Sequence, residues 1–155
     1  MKLIPYDKFK IDTLNSPGKV LLIISENIGP RNLFSLVSAR EYNGSVTKNG
    51  FLISKNIYYR NSFLPLIEGK VKPSINGSHI IVTMRLHALV LCFMFVWFCG
   101  VGIGCVAVLS HLDNFSFPLL IPFIMLFSGI IIVSGGFWFE ASKQKTKLVE
   151  LLTKN

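Results

Sequence analysis

The densest grouping of chemistry-bearing side chains lies at residues 58–63: Tyr58, Tyr59, Arg60, Asn61, Ser62 and Phe63. Two phenols, a guanidinium and a carboxamide within six positions suit recognition of an anion. Arg60 would grip a phosphate or carboxylate through paired N–H donors, with Tyr58 and Asn61 as additional donors. The same residues also suit a plain turn. In that reading Asn61 and Ser62 make the bend, Tyr59 and Phe63 pack inward, and Arg60 stays in water.

No motif adds further chemistry. The sequence holds no Walker loop and no GxGxxG, HExxH, CxxC or GxSxG pattern, so the backbone geometries that those motifs supply are missing. His79, His87 and His111 are isolated from one another, and the eight carboxylates form no pair that suggests acid–base work. Cys92, Cys99 and Cys105 all fall in one apolar run. Their spacing is no metal-ligand pattern, and they read as small packing residues. The expectation is a protein that is not an enzyme, with no catalytic residue, no metal and no cofactor.

Two contrasting halves must position these few groups. Mean hydropathy is +0.54, but residues 1–86 read as ordinary soluble sequence, whereas 87–109 and 118–139 contain no Lys, Arg, Asp or Glu. Each run is about the length a helix needs to cross a bilayer. Only eight residues separate them, too few for a domain, so they predict a transmembrane hairpin over 87–139 with both ends on one side. The opening stretch from Met1 to Asp7 is too polar for the apolar core of a signal peptide.

Charge orients the hairpin. Up to Arg85 there are 12 Lys and Arg against 5 Asp and Glu, whereas the link at 110–117 carries Asp113 alone. Cationic flanks stay cytoplasmic, which predicts a two-span protein of a bacterial inner membrane with both termini in the cytoplasm. A formal net charge of +8 fits either nucleic acid or anionic headgroups. For a domain tethered beside a bilayer the headgroups are the expected partner, and nucleic acid is not. Arg85, His87, Trp138, Lys143 and Lys147 are placed to contact that surface. Gly100 and Gly104 form a GxxxG pair, and Gly129 and Gly136 lie in the second run. Such small residues let helices approach closely in lipid, either within the hairpin or between copies in a homo-oligomer.

The first 86 residues predict a small α+β domain. Residues 2–12 read as a strand. Ser16 and Pro17 then read as an N-cap and first helical residue for a helix over 19–27 with Leu21, Leu22, Ile24 and Ile28 as its stripe. A buried strand competes for that segment, and residues 31–40 fit either state. From Tyr42 onward four strands alternate as an antiparallel meander, with two-residue turns at Asn49–Gly50 and Asn76–Gly77. Phe51, Ile53, Ile57 and Tyr59 share one face; Phe63, Ile67 and Val71 share the next; Ile80, Val82, Met84 and Leu86 line the last. The final strand runs into the first apolar run without a linker. Residues 140–155 form a basic tail helix, expected to cover the sheet rather than lie on the headgroups.

Several stretches carry a resemblance. They are Tyr42 to Val46, Gly50 with Phe51, Tyr59 to Pro65, Gly69, Met84 to His87, and Gly135 to Glu140. Over roughly residues 42–152 they resemble a family of small bacterial two-helix membrane proteins with a β-rich N-terminal cytoplasmic domain and a Lys-rich tail. The element order is also similar to that of START-like lipid-binding folds. The resemblance implies architecture and no activity. The expected role is a cytoplasmic domain that binds a lipid-like or anionic ligand, or a partner protein, at the bilayer surface. The alternative is an accessory subunit of a larger membrane assembly.

Overall fold

The computed structural model describes residues 3–29, 41–56, 61–110 and 117–153. The chain runs β1 (Tyr6–Thr13), α1 (Pro17–Asn27), β2 (Ile28–Gly29), β3 (Tyr42–Thr47), β4 (Gly50–Lys55), β5 (Leu66–Ser74), β6 (Gly77–Arg85), α2 (Ala88–Leu109), a 3-10 turn at Phe117–Leu120, and α3 (Ile121–Thr153). The class is α+β, as the alternation predicts. The six strands form one sheet in the order β1-β6-β5-β4-β3-β2. β2 pairs with β3 in parallel; every other pairing is antiparallel.

The sheet is wider than the expected meander. β1 closes onto β6 from Tyr6↔Arg85 to Thr13↔Ser78, and residues that far apart in sequence leave no local trace of pairing. β2 is two residues long, too short for any periodicity. The hairpins also sit one residue earlier than the Asn-Gly rule places them. Thr47 pairs with Gly50 and Ser74 with Gly77, so Lys48–Asn49 and Ile75–Asn76 are the loops. Each glycine starts the return strand. Gly77 has φ +137°, and a Cβ there would run into the Thr13 carbonyl of β1, so that position admits only glycine without strain. Phe63, expected to begin the third strand, lies in the loop before it.

Residues 17–27 are helical. Ser16 Oγ accepts from Lys19 N at 3.4 Å and Pro17 opens the first turn. These caps favour the helix over the competing strand. Its buried face is Val20 and Ile24, whereas Leu22 is 58% exposed, so the stripe is rotated from the expected one.

One face of the sheet is covered. Ile11, Tyr42, Phe51, Ile53, Ile67, Val71, Ile80, Val82 and Met84 point into a single core. Val20 and Ile24 of α1 meet them there, as do Val133, Phe137, Ala141, Leu148 and Leu152 of α3. The alternation in β6 is complete: Ser78, Ile80, Val82 and Met84 are buried, and the residues between them are not. Phe51 packs over Gly69, its partner across β4 and β5, where a Cβ would collide with the ring.

α3 is 33 residues without a break, about 50 Å long. The expected tail helix is its second half. Nothing stops the helix between Phe139 and Glu140, because no proline occurs there and the residues that follow are good helix formers. α2 and the segment Phe117–Thr153 are long and apolar enough to cross a membrane, with window hydropathies of 2.5 and 2.4. Those windows are only 6% and 11% buried within the chain. A core helix of a soluble protein would be mostly covered.

Candidate functional site

The junction between the sheet and the two apolar helices is tied by several contacts. β6 ends at Arg85 and α2 begins at Ala88. Of the two residues between, Leu86 is fully buried. His87 caps α2, its Nδ1 accepting from Leu89 N at 3.3 Å. α3 is fastened along its length. Ser134 Oγ donates to Leu3 O at 2.6 Å, and Lys145 Nζ lies 3.3 Å from Asp7 Oδ2 and over the Phe9 ring. Lys147 Nζ lies 2.6 Å from Glu41 Oε1. Two residues apart, Lys145 and Lys147 leave the helix on opposite flanks, so one reaches β1 and the other the start of β3. At the far end Thr13 Oγ1 and Asn15 Nδ2 both donate to Leu152 O. Between them Tyr42 OH donates to Gln144 Oε1 at 3.3 Å in the core. Burial pushes the Tyr42 phenol up to about 12, and the Glu41 charge adds to the shift.

Against this frame the loop before β5 inserts Phe63 between the helices. Its ring lies on Gly136, 3.0 Å from where a Cβ would be. Two adjoining apolar hollows result, of about 390 and 310 Å³, both lined by Phe63, Phe93 and Met94. The first opens beside Asn61 and Ser62. The second continues between α2 and α3 to Trp97, Ser128 and Gly129. Trp97 stacks on Phe93 with centroids 6.5 Å apart. The arrangement is an apolar cleft with a polar lip at one end.

Of the predicted anion grip, Tyr58 and Arg60 lie outside the described residues. Asn61 is at the lip. Its Oδ1 accepts from Phe63 N at 3.0 Å, the turn role the sequence allowed. The glycines divide. Gly104 meets Pro122, Gly129 meets Phe98 and Trp97, and Gly136 meets Phe63, whereas Gly100 meets nothing within 4 Å. The GxxxG pair therefore does not seat α2 on α3 as a unit, since Gly100 is turned away from the other helix. Among the surface candidates, Lys147 is engaged with Glu41 and Arg85 lies 3.9 Å from Glu68. Lys143 sits over the Phe139 ring, and Trp138 is half-buried against the core with an edge-on Phe137. Phe93, Met94 and Lys145 were not singled out by the sequence. Helical spacing marks Phe93 and Met94 only as two apolar residues among many.

His79 is not isolated. It bridges Asp12 and Ser74 across three strands at the end of the sheet remote from α2. The Asp12 carboxyl is held below its ordinary value, first by the His79 hydrogen bond and then by Lys10. A broad depression of about 680 Å³ opens on the outer sheet face, where Glu68 lies 3.6 Å from Lys70 and 3.9 Å from Arg85. That arrangement consumes the acid and leaves a cationic surface. No group of three or more His, Cys, Asp and Glu able to hold a metal occurs among the described residues. No family model matches the chain, and neither a curated protein nor a solved structure matches it.

Proposed function

We propose that this is a two-span integral membrane protein that binds a lipid-like amphiphile in the cleft under Phe63, holding the sheet domain against the bilayer surface. The observation that carries the reading is the position of the cleft. It lies between two helices whose exposed surface is apolar, and its polar lip, Asn61 and Ser62, is on the side of the sheet. An acyl chain in the hollow would place its headgroup beside that lip. Arg60, adjacent in sequence to Asn61, is the natural counter-charge for an anionic headgroup. The cleft acts by binding, since its described lining carries no nucleophile paired with a base. The charge bias supports a topology with both termini in the cytoplasm.

The test is native mass spectrometry of the full chain extracted in mild detergent. We expect a reproducible adduct of lipid mass that is lost when Met94→Trp fills the cleft and reduced in Arg60→Ala. A wild-type protein without adducts, or an adduct indifferent to Met94→Trp, would defeat the reading. Protease applied from the cytoplasmic side of oriented vesicles should cut the sheet domain; cleavage from the opposite face only would reverse the topology.

The outward face of Gly100 favours a second reading, in which the protein is an accessory subunit. Close approach of another membrane helix there would place the hairpin inside a larger assembly. In that case the detergent-extracted protein carries added protein subunits, and Gly100→Leu releases them.

A further inference from the structure

The end of the sheet remote from the helices carries a different set of groups. Asp12 on β1 and His79 on β6 are direct partners in the ladder, and His79 Nδ1 is hydrogen-bonded to Asp12 Oδ1. The other ring nitrogen, Nε2, lies 2.9 Å from Ser74 Oγ on β5. Hydroxyl, imidazole and carboxylate thus form one chain in the order nucleophile, base, orienting group. All three face the outer, polar side of the sheet and border a hollow of about 240 Å³ with Leu14, Asn76 and Ser78. The other hydroxyls of that hollow are committed elsewhere: Thr13 Oγ1 donates to Leu152 O and Ser78 Oγ to Asn15 O. Ser74 presents its hydroxyl to the imidazole.

The proton arrangement follows from charge. A carboxylate only accepts, so Asp12 requires a proton on Nδ1. The neutral ring then offers a lone pair on Nε2 to the Ser74 O–H. This is the tautomer in which histidine can take the serine proton. Asn76, two residues after Ser74 in the hairpin loop, borders the same hollow and carries carboxamide N–H donors suited to a developing oxyanion.

We propose that Ser74 is a nucleophile with His79 as its general base and Asp12 as a positioning residue, acting on small carboxylic esters. Ser74 Oγ attacks the ester carbonyl carbon while His79 Nε2 takes the hydroxyl proton. The carbon–oxygen bond to the leaving alkoxide breaks, and the alkoxide leaves as the alcohol with that proton. Water, deprotonated by the same Nε2, then attacks the acyl-serine. The carboxylic acid departs and the serine regains its hydrogen. A hollow of about 240 Å³ admits a short acyl group, with Leu14 as its apolar wall. This site is independent of the cleft under Phe63, at the opposite end of the sheet.

The test uses the full chain in detergent with a fluorophosphonate probe and peptide mapping of the adduct. Its phosphorus is attacked by the activated serine with loss of fluoride. We expect an adduct at Ser74 that is absent in Ser74→Ala and abolished by denaturing the wild-type protein first. His79→Gln should slow labelling by about a hundredfold, in the range of general-base effects. Asp12→Asn should slow it substantially and Asp12→Glu restore it, a rescue that a merely structural carboxylate would not give. No Ser74 adduct on the folded wild-type protein overturns the proposal. So does a labelling rate unchanged in His79→Gln, with circular dichroism showing that the variant is folded.

Discussion

Tyr42 and Gln144 are the residues where the core departs most from an apolar jigsaw. Both are buried, Tyr42 OH donates to Gln144 Oε1, and Gln144 Nε2 has no hydrogen-bond partner among the described residues. Losing one partner strands the other in the core, so Tyr42→Phe should cost about 1–2 kcal/mol at neutral pH. The pair Tyr42→Phe with Gln144→Met removes both polar ends and should recover most of that loss, as a double-mutant cycle by chemical denaturation would reveal. The same phenol gives the fold an alkaline limit. Its pKa is about 12 in the folded chain against 10.0 for the free group. Between those values the unfolded state releases a proton that the folded state keeps, so stability falls as pH rises from 10 to 12. In Tyr42→Phe that limb of the pH–stability curve should flatten. At Gly69 the issue is space. Alanine there would displace the buried Phe51 ring, so Gly69→Ala should lower stability by about 1–3 kcal/mol. Gly100→Ala, which meets nothing, should be neutral or slightly stabilising in the isolated chain.

At the scale of elements, α3 belongs to two environments. Its first half, from Ile121 to Ile132, contains no buried residue, and its second half supplies Phe137, Ala141, Leu148 and Leu152 to the core under the sheet. The sheet and α1 alone leave a core face uncovered. Residues 1–86 expressed without α3 are therefore expected to lack a cooperative thermal transition, whereas the full chain in detergent shows one. Leu148→Ala should cost about 2–5 kcal/mol, as a large-to-small change at a fully buried site. The sequence announced α1 through Ser16 and Pro17, and β6 through its unbroken alternation, because caps and period-two burial are local. It missed the β1–β6 pairing and displaced both turns. In each hairpin the glycine is demanded by backbone approach from a neighbouring strand, at Gly50 by Gly69 and at Gly77 by Thr13, and no turn rule sees that neighbour. The candidate site was legible only at its lip. Asn61 stood out by type, whereas Phe93 and Met94 become a lining through the docking of Phe63, which depends on the loop and both helices together.

For the whole molecule, the two apolar helices make the decisive measurement simple. Cys92 and Cys99 on α2 are exposed within the chain, so nothing among the described residues shields them. In reconstituted vesicles a membrane-impermeant maleimide should leave both unmodified, while a permeant one, or detergent unfolding, modifies them. Rapid modification by the impermeant reagent would place α2 in water and end the membrane reading. A sheet clamped to the two apolar helices by Leu86, by the His87 cap and by the Ser134, Lys145 and Lys147 contacts should not swing on a hinge.

The two apolar helices, the α+β class and the linkerless passage from β6 into α2 were legible in the amino-acid order alone. These follow from composition, alternation and chain continuity, which need no knowledge of distant residues. That α3 closes the core of the sheet, that Phe63 shapes an apolar cleft, and that Ser74, His79 and Asp12 meet became visible only in the folded chain. Each of those depends on side chains from separate elements arriving within a few ångströms. Strand order and register, set by the burial of one whole face at once, are what bring them there.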